Sequence, residues 1–209
     1  MESEIKKIRN FITKNPLLSA LIISFFVFLL LFIFYSNLEF SIKGINRSAG
    51  IIGLALVSLS LLHGPISRLF PQFSFLIVLR KPIGLIGFFF ILIHWFISFF
   101  FIFDANIANI INSPKKLALI FGAIAFFIFF LMAITSTKKA VEILTYDRWK
   151  LLHRFGYIAI LLASLHFIFM KSNEIGLFIK PIGYLVLFIA FIALSLRMYE
   201  LLKKGKNKK

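Results

Sequence analysis

The chain has 209 residues, no cysteine and a formal charge of +16. The lack of cysteine excludes disulfides, thiolate-held iron–sulfur clusters, covalently attached c-type haem and zinc–thiolate sites, and leaves His, carboxylate or Met to hold any metal. Hydrophobic residues make up 60% of the chain and its mean hydropathy is +0.97, whereas a soluble domain is typically about half apolar. The excess, including most of the 29 Phe, lies in long uninterrupted runs that a water-soluble fold of this size could not cover. The basic residues fall in short segments between those runs, so membrane topology and anionic lipid account for the charge better than nucleic acid does.

A spanning helix needs about 20 mostly apolar residues. Residues 1–15 form a charged N-terminal segment. The run that follows carries no small-residue cleavage site at its end, so it is expected to stay as a first helix rather than be removed as a signal peptide. Spans are predicted over residues 16–35, 48–67, 82–103, 114–134, 149–170 and 181–199. Pro82, Pro114 and Pro181 each open a span, at the position where a missing N–H costs nothing. Residues 201–209 form a basic tail. The expected fold is all-α: one six-helix transmembrane bundle over 16–200, with short loops, antiparallel neighbours, no second domain and no evident internal repeat.

Orientation follows from the cations. Of the 24 Lys and Arg, 18 fall on the side of both termini, and six (Lys43, Arg47, Lys115, Lys116, Lys171 and Lys180) fall on the other. The excess of positive charge marks the cytoplasmic side, so both termini are expected there.

All four histidines, His63, His94, His153 and His166, lie in or at the edge of predicted spans. Ionisable groups are expensive inside a bilayer and are usually retained for function. With a rise of about 1.5 Å per residue, His94 sits about 20 Å above Arg80, and His166 about 20 Å above His153. The third and fifth helices run in the same direction, so His94 and His166 share a level nearer the outer face. Two imidazoles facing each other there can supply both axial ligands of one haem iron. His153 lies near the cytoplasmic edge, opposite Arg80, whose guanidinium cannot ligate iron but can pair with a haem propionate. His63 is expected within about 8 Å of the same edge, where it is either a second inner ligand or an interfacial hydrogen-bonding group.

Helical phase gives a partial check. Arg80, Gly84, Gly87, Ile91 and His94 fall within about 80° on the third helix, and glycines there admit either a flat macrocycle or a close helix. His153 and His166 lie about 140° apart on an ideal fifth helix, with Gly156, Ala159 and Ala163 filling the sector between them. Zinc wants three or four ligands at one level, which this spread does not offer. The carboxylates Asp104, Glu142, Asp147, Glu174 and Glu200 fall at loops or helix ends, so no carboxylate proton relay is expected within the membrane. A transporter with structural histidines remains the competing class, although no proline interrupts a span at mid-depth.

The stretch from Ile134 to His166 carries the most specific pattern: Thr135-Ser136, Trp149, Leu152-His153, Tyr157 and His166. Together with Arg80-Lys81-Pro82-Ile83-Gly84-Leu85 leading to His94, it resembles the ferric-reductase-like transmembrane domain, and within it the MsrQ (YedZ) group of haem-binding membrane subunits. The likeness covers roughly residues 47–170. It departs at His63, which has no counterpart in that pattern, and at Thr145-Tyr146-Asp147-Arg148, where a Leu-Gly pair is usual.

The resemblance implies that His94 and His166 hold an outer b-type haem and that His153 holds an inner one, with Arg80 where other members carry a further histidine. Arg80, Gly84, Gly87, Gly156 and Trp149 are the candidate cofactor-binding residues beside the ligands. It further implies one or two haem b groups, with FMN or quinone as additional candidate cofactors. Electrons would come from a cytoplasmic flavin reductase or quinol and pass to a periplasmic molybdopterin reductase of the MsrP type, which repairs oxidised methionine. The location is then the bacterial inner membrane. The basic tail is too short to form a flavin or nicotinamide domain, so the expected role is an electron-transfer subunit rather than a complete enzyme. A transmembrane ferric or metal reductase is the alternative within the same superfamily.

Overall fold

The computed structural model describes residues 2–35, 38–173, 176–177 and 180–206. Six helical segments are long and apolar enough to cross a membrane: Pro16–Phe34, Ile42–Leu69, Pro71–Ile102, Lys116–Ile134, Tyr146–Lys171 and Pro181–Lys203. The protein is a multi-pass membrane protein. An even number of spans returns the chain to its starting side. Glu174 and the end of the basic tail from 207 onward lie outside the described residues.

The N-terminal segment is itself a helix, α1 (Glu2–Lys14), which packs against the 3-10 segment Pro71–Leu79. Its apolar Ile5, Ile8 and Phe11 are exposed among charged neighbours, the composition of a helix lying in the membrane interface. The first span is α2 (Pro16–Phe34). The second, α3 (Ile42–Leu69), begins earlier than the apolar run at 48. Its polar start is capped by the Ser41 hydroxyl, which accepts from Gly44 N–H at 3.0 Å. The third span is a 3-10 segment, then α4 (Arg80–Ile97), then a π-helical turn over Ser98–Ile102. After the short α5 (Ile107–Ile111) come α6 (Lys116–Ile134) and α7 (Lys138–Leu144).

The fifth span is two helices, α8 (Tyr146–Arg154) and α9 (Gly156–Lys171), interrupted at Phe155. Phe155 N–H bonds to Leu152 O at 3.0 Å, a tightened turn rather than an α-helical one. The offset that an ideal helix would set between His153 and His166 therefore does not apply. Two-residue strands Ser172–Asn173 and Gly176–Leu177 pair antiparallel before α10 (Pro181–Lys206), which continues past the expected end at 199.

The central element is α3. It packs against α2, α4, α9 and α10, and Ile51, Ile52, Leu54, Ala55, Leu56, Val57 and Leu61 are all buried. Lipid is as apolar as leucine, so small residues and close backbones decide which membrane helix goes inside. This helix carries Gly50, Gly53, Ser48, Ser58 and Ser60, whereas the Phe-rich faces of α2, α4 and α6 look outward.

An internal repeat, not evident in the sequence, organises the core. The hairpin α3–α4 corresponds to the hairpin α6–α9, with α3 also against α9 and α4 against α6. Identical pairs that share one and the same offset along the chain include Gly50 and Gly122, Gly84 and Gly156, and His94 and His166. Small residues also match at Gly53 and Ala125 and at Gly87 and Ala159. Two hairpins running the same way are related by an approximate two-fold axis along the bundle.

Candidate metal centre

His94 on α4 and His166 on α9 face each other across the repeat, with ring centroids 6.0 Å apart and ring planes at 73°. Each ring is tethered in the same way. His94 Nδ1–H donates to the carbonyl of Asn46 on α3 at 2.9 Å, and His166 Nδ1–H donates to the carbonyl of Ala118 on α6 at 2.8 Å. A backbone carbonyl can only accept, so it fixes the tautomer and leaves Nε2 with its lone pair free, as in metal-ligating histidines. One turn beyond each carbonyl stands a glycine. A Cβ at Gly50 would lie 3.0 Å from His94 Nδ1, and one at Gly122 would lie 2.6 Å from His166 Nδ1. Only a bare backbone lets each ring come close enough to reach its acceptor.

Asn46 is held in turn. Its amide donates to Ser98 Oγ at 3.0 Å, at the π-helical turn that follows His94. Such turns insert a residue into a helix and often occur at functional sites.

The two histidines line a cavity of about 350 Å³ enclosed by α3, α4, α6 and α9. One wall is aromatic, with Trp95 stacked on Phe126 at 5.0 Å and on Phe99 at 5.6 Å. Among the described residues no group of three or more His, Cys, Asp or Glu converges anywhere. The protein thus offers two nitrogen ligands on opposite sides of an apolar cavity. A metal seated there must bring its remaining donors with it, as the iron of a macrocycle does.

A second cavity, of about 340 Å³, lies toward the other end of the bundle and shares Phe129 with the first. It is lined by His153, Trp149, Arg80, Lys81, Gly84 and Ser136 among others. His153 is held differently from the first pair. Its Nε2 lies 3.2 Å from Thr135 Oγ1, whose own proton goes to Leu131 O at 2.6 Å. Trp149 covers the His153 ring at 4.3 Å and donates its indole N–H to Thr135 O at 3.0 Å. Arg80 and Gly84 line this cavity as the sequence suggested, the backbone of Arg80 being fixed by Ser60 Oγ on its carbonyl at 2.6 Å.

Other candidates fall elsewhere. His63 lines neither cavity, and its Nδ1–H donates to Leu59 O at 2.6 Å in its own helix. Gly87 and Gly156 also line neither cavity. A Cβ at Gly87 would meet Val57 N at 2.9 Å, and one at Gly156 would meet Met132 Cε at 2.8 Å, so both serve helix packing.

Glu200, expected at a helix end, is instead buried within α10 and 4% exposed. Its carboxylate accepts from Arg68 Nη2 and from Arg197 Nη1, each at 2.8 Å, and Arg68 Nε forms an ion pair with it at 2.7 Å. Arg68 and Arg80 converge over Gly64, whose Cβ would lie 3.3 and 3.1 Å from them. The tethering carbonyls, the paired glycines and Glu200 escaped sequence reasoning. The offset shared by the two hairpins is the signal that could have found the first two.

A profile described as the ferric reductase like transmembrane component matches residues 49–164. The chain belongs to the ferric-reductase-like transmembrane family. The matched segment contains Gly50, His94, Gly122 and His153 and stops just short of His166. Among similar members, the protein-methionine-sulfoxide reductase heme-binding subunit MsrQ of Herminiimonas arsenicoxydans is 32% identical over 170 residues, covering 79% of this chain and 75% of that one. MsrQ of Pasteurella multocida is 28% identical over 170 residues, covering 79% of each. The magnetosome protein MamZ of Magnetospirillum gryphiswaldense is 28% identical over 133 residues, which is 63% of this chain but 20% of that longer protein. The shared region of the ferric-reductase-like family is thus the four-helix repeat around the two cavities.

Proposed function

We propose that this protein is a b-type haem subunit that carries electrons across the membrane, with His94 and His166 as the axial ligands of one haem. The observation that carries this is the matched pair of tethered imidazoles. Two metal–imidazole bonds of about 2.0 Å each, with half a ring beyond each nitrogen, place two rings on one metal at roughly 6 Å between centroids. The separation here is 6.0 Å, with both Nδ1 atoms turned away to carbonyls. When bound, haem iron supplies one-electron exchange between its ferric and ferrous states. The chain's own part is to hold two neutral imidazoles in fixed orientation and to keep water out with Leu54, Phe126, Phe129 and Ile91.

The His153 cavity supports a second, singly ligated haem, with Arg80 and Lys81 facing its carboxylates. The MsrQ names of the similar proteins support a place in a methionine sulfoxide reductase system. On that basis the donor is a cytoplasmic flavin reductase or quinol, and the acceptor is an MsrP-like molybdopterin enzyme outside the inner membrane. Both termini, the N-terminal helix and the Arg68–Glu200 cluster then lie on the cytoplasmic side.

The test is the visible spectrum of the detergent-purified protein, oxidised and dithionite-reduced, with haem counted as its pyridine haemochrome. A sharp reduced α-band of b type is expected, lost in His94→Ala and in His166→Ala. A haem ratio near two supports the second site, and a ratio near one overturns it. Reduction of chelated ferric iron without an outer partner would point to a metal reductase instead. A colourless protein from haem-replete cells overturns the proposal.

A further inference from the structure

The repeat is two-fold at the ligands but not at the edges of their cavity. The offset that relates the two histidines also relates Arg47 to Leu119, and Phe99 to Lys171, all four on the cavity wall. Arg47 and Lys171 lie together on one edge, and Leu119 and Phe99 take the equivalent places on the other. At these two places the scaffold is cationic on one side and apolar on the other, whereas Lys115 and its counterpart Lys43 are cations on both.

The polar edge is built up further. Tyr35 joins the cavity wall there and is 5% exposed. Lys171 Nζ stands 5.6 Å and Lys180 Nζ 6.0 Å from the centre of the Tyr35 ring. Lys180 also donates to Tyr35 O at 2.7 Å, and Lys115 Nζ donates to Met170 O. Among the described residues, Glu39 stands against these four cations, 3.5 Å from Arg47 and partly exposed. A phenol keeps its proton until about pH 10, so Tyr35 offers a neutral O–H donor beside the cations. Cations gathered at one rim of an apolar cavity raise the field there and favour negative charge at that place.

We infer that this edge receives the carboxylates of the macrocycle: Arg47, Lys171 and the Tyr35 hydroxyl hold the propionates, while Phe99 and Leu119 pack the vinyl and methyl edge. This presupposes the haem between His94 and His166 proposed above. It adds a single direction of seating, which ligation by two equivalent histidines could not provide. A guanidinium matches a carboxylate with a two-pronged donor set, whereas an ammonium meets it as a point charge.

The experiment uses the full-length protein purified with the haem it acquires in the cell. Resonance Raman bands of propionate bending are compared between the wild type, Arg47→Leu, Lys171→Leu and, as a control, Lys116→Leu, an exposed cation of the same end outside the cavity. Haem transfer to apomyoglobin is timed in parallel. Arg47→Leu and Lys171→Leu are expected to shift the propionate bands and to speed transfer about tenfold each, the loss of one charge-assisted hydrogen bond. Their visible spectra should stay those of two axial histidines, and Lys116→Leu should match the wild type. If either leucine variant fails to accumulate, Arg47→Lys and Lys171→Arg are measured, with smaller shifts of the same bands expected.

Unmoved propionate bands and transfer rates, with the two-histidine spectrum intact, overturn this assignment alone. A wild type without that spectrum overturns the haem proposal and this assignment with it.

Discussion

Replacing Gly122 by alanine places a methyl carbon 2.6 Å from His166 Nδ1 and 3.0 Å from its Cε1. Ordinary van der Waals contact begins at 3.4 Å. The ring must therefore retreat by about 0.8 Å to restore a normal contact distance. Gly122 lies one turn beyond Ala118 on the same helix, so the retreat is away from the carbonyl that holds the ring. The 2.8 Å bond to Ala118 O then stretches to about 3.6 Å, beyond hydrogen-bond range. Losing a buried bond of this kind costs about 1–3 kcal/mol, and losing the partner that orients a metal-bound histidine costs roughly 10–100-fold in affinity. Haem content per chain and the rate of haem transfer to apomyoglobin measure the outcome, with retention expected to fall at least tenfold. Gly50→Ala is the internal standard. Its methyl would stand 3.0 Å from His94 Nδ1, so the ring there need yield only half as far, and the loss should be smaller. A Gly122→Ala protein that holds haem as tightly as the wild type, or a Gly50→Ala protein that loses more, refutes the tether argument.

Glu200→Gln removes the carboxylate that Arg68 and Arg197 share. Breaking a buried pair while leaving its cations in place should destabilise the detergent-solubilised protein by about 3 kcal/mol, read as a lower thermal midpoint; an unchanged midpoint would mean that water already screens the cluster. Thr145, exposed between α7 and α8, has φ 63° and ψ 153°, a region that glycine enters freely and that costs other residues about 1–3 kcal/mol. Thr145→Gly should raise the midpoint by a few degrees even after the extra entropy of an unfolded glycine, and a fall would show the strain to be absent. Trp149→Phe keeps an aromatic ring over His153 but loses the 3.0 Å bond to Thr135 O. If the second cavity holds the haem proposed for it, the variant should perturb that haem and leave the His94–His166 spectrum unchanged, as reduced spectra of the variant and the wild type would record.

The six spans were legible because apolar runs of membrane length carry their own signal. Their ends were not, since capping groups and interfacial turns decide them: Ser41 lets α3 start in polar sequence, and the 3-10 segment after Pro71 brings the third span in early. The equal level of His94 and His166 followed from counting residues, and their pairing across the bundle is present in the structure. Their tethers were hidden because the acceptors are backbone carbonyls, which no residue type announces. Gly50 and Gly122 carry no signal of their own in the sequence, and only the ring above each gives them a role. The break at Phe155 was hidden for the same reason, since Arg154-Phe155-Gly156 contains no proline to mark it.

The repeat also bears on why the two cavities differ. Its offset maps His94 onto His166, but it maps His153 onto Lys81 and Arg80 onto Leu152. A two-fold site with equal ligands can therefore form at only one of the two levels. At the other level one imidazole, engaged with Thr135, faces a cationic wall of Arg80 and Lys81. His94 and His166 would together hold the iron of a macrocycle that brings the remaining donors, which would suit outer-sphere electron transfer and would keep a substrate off the metal. One imidazole beside two fixed cations leaves room for a second group and favours a negatively charged one. The asymmetry between levels thus makes the two ends chemically distinct: a pair of matched imidazoles toward the Arg47 end, and a single imidazole beside two cations toward the Arg68 end.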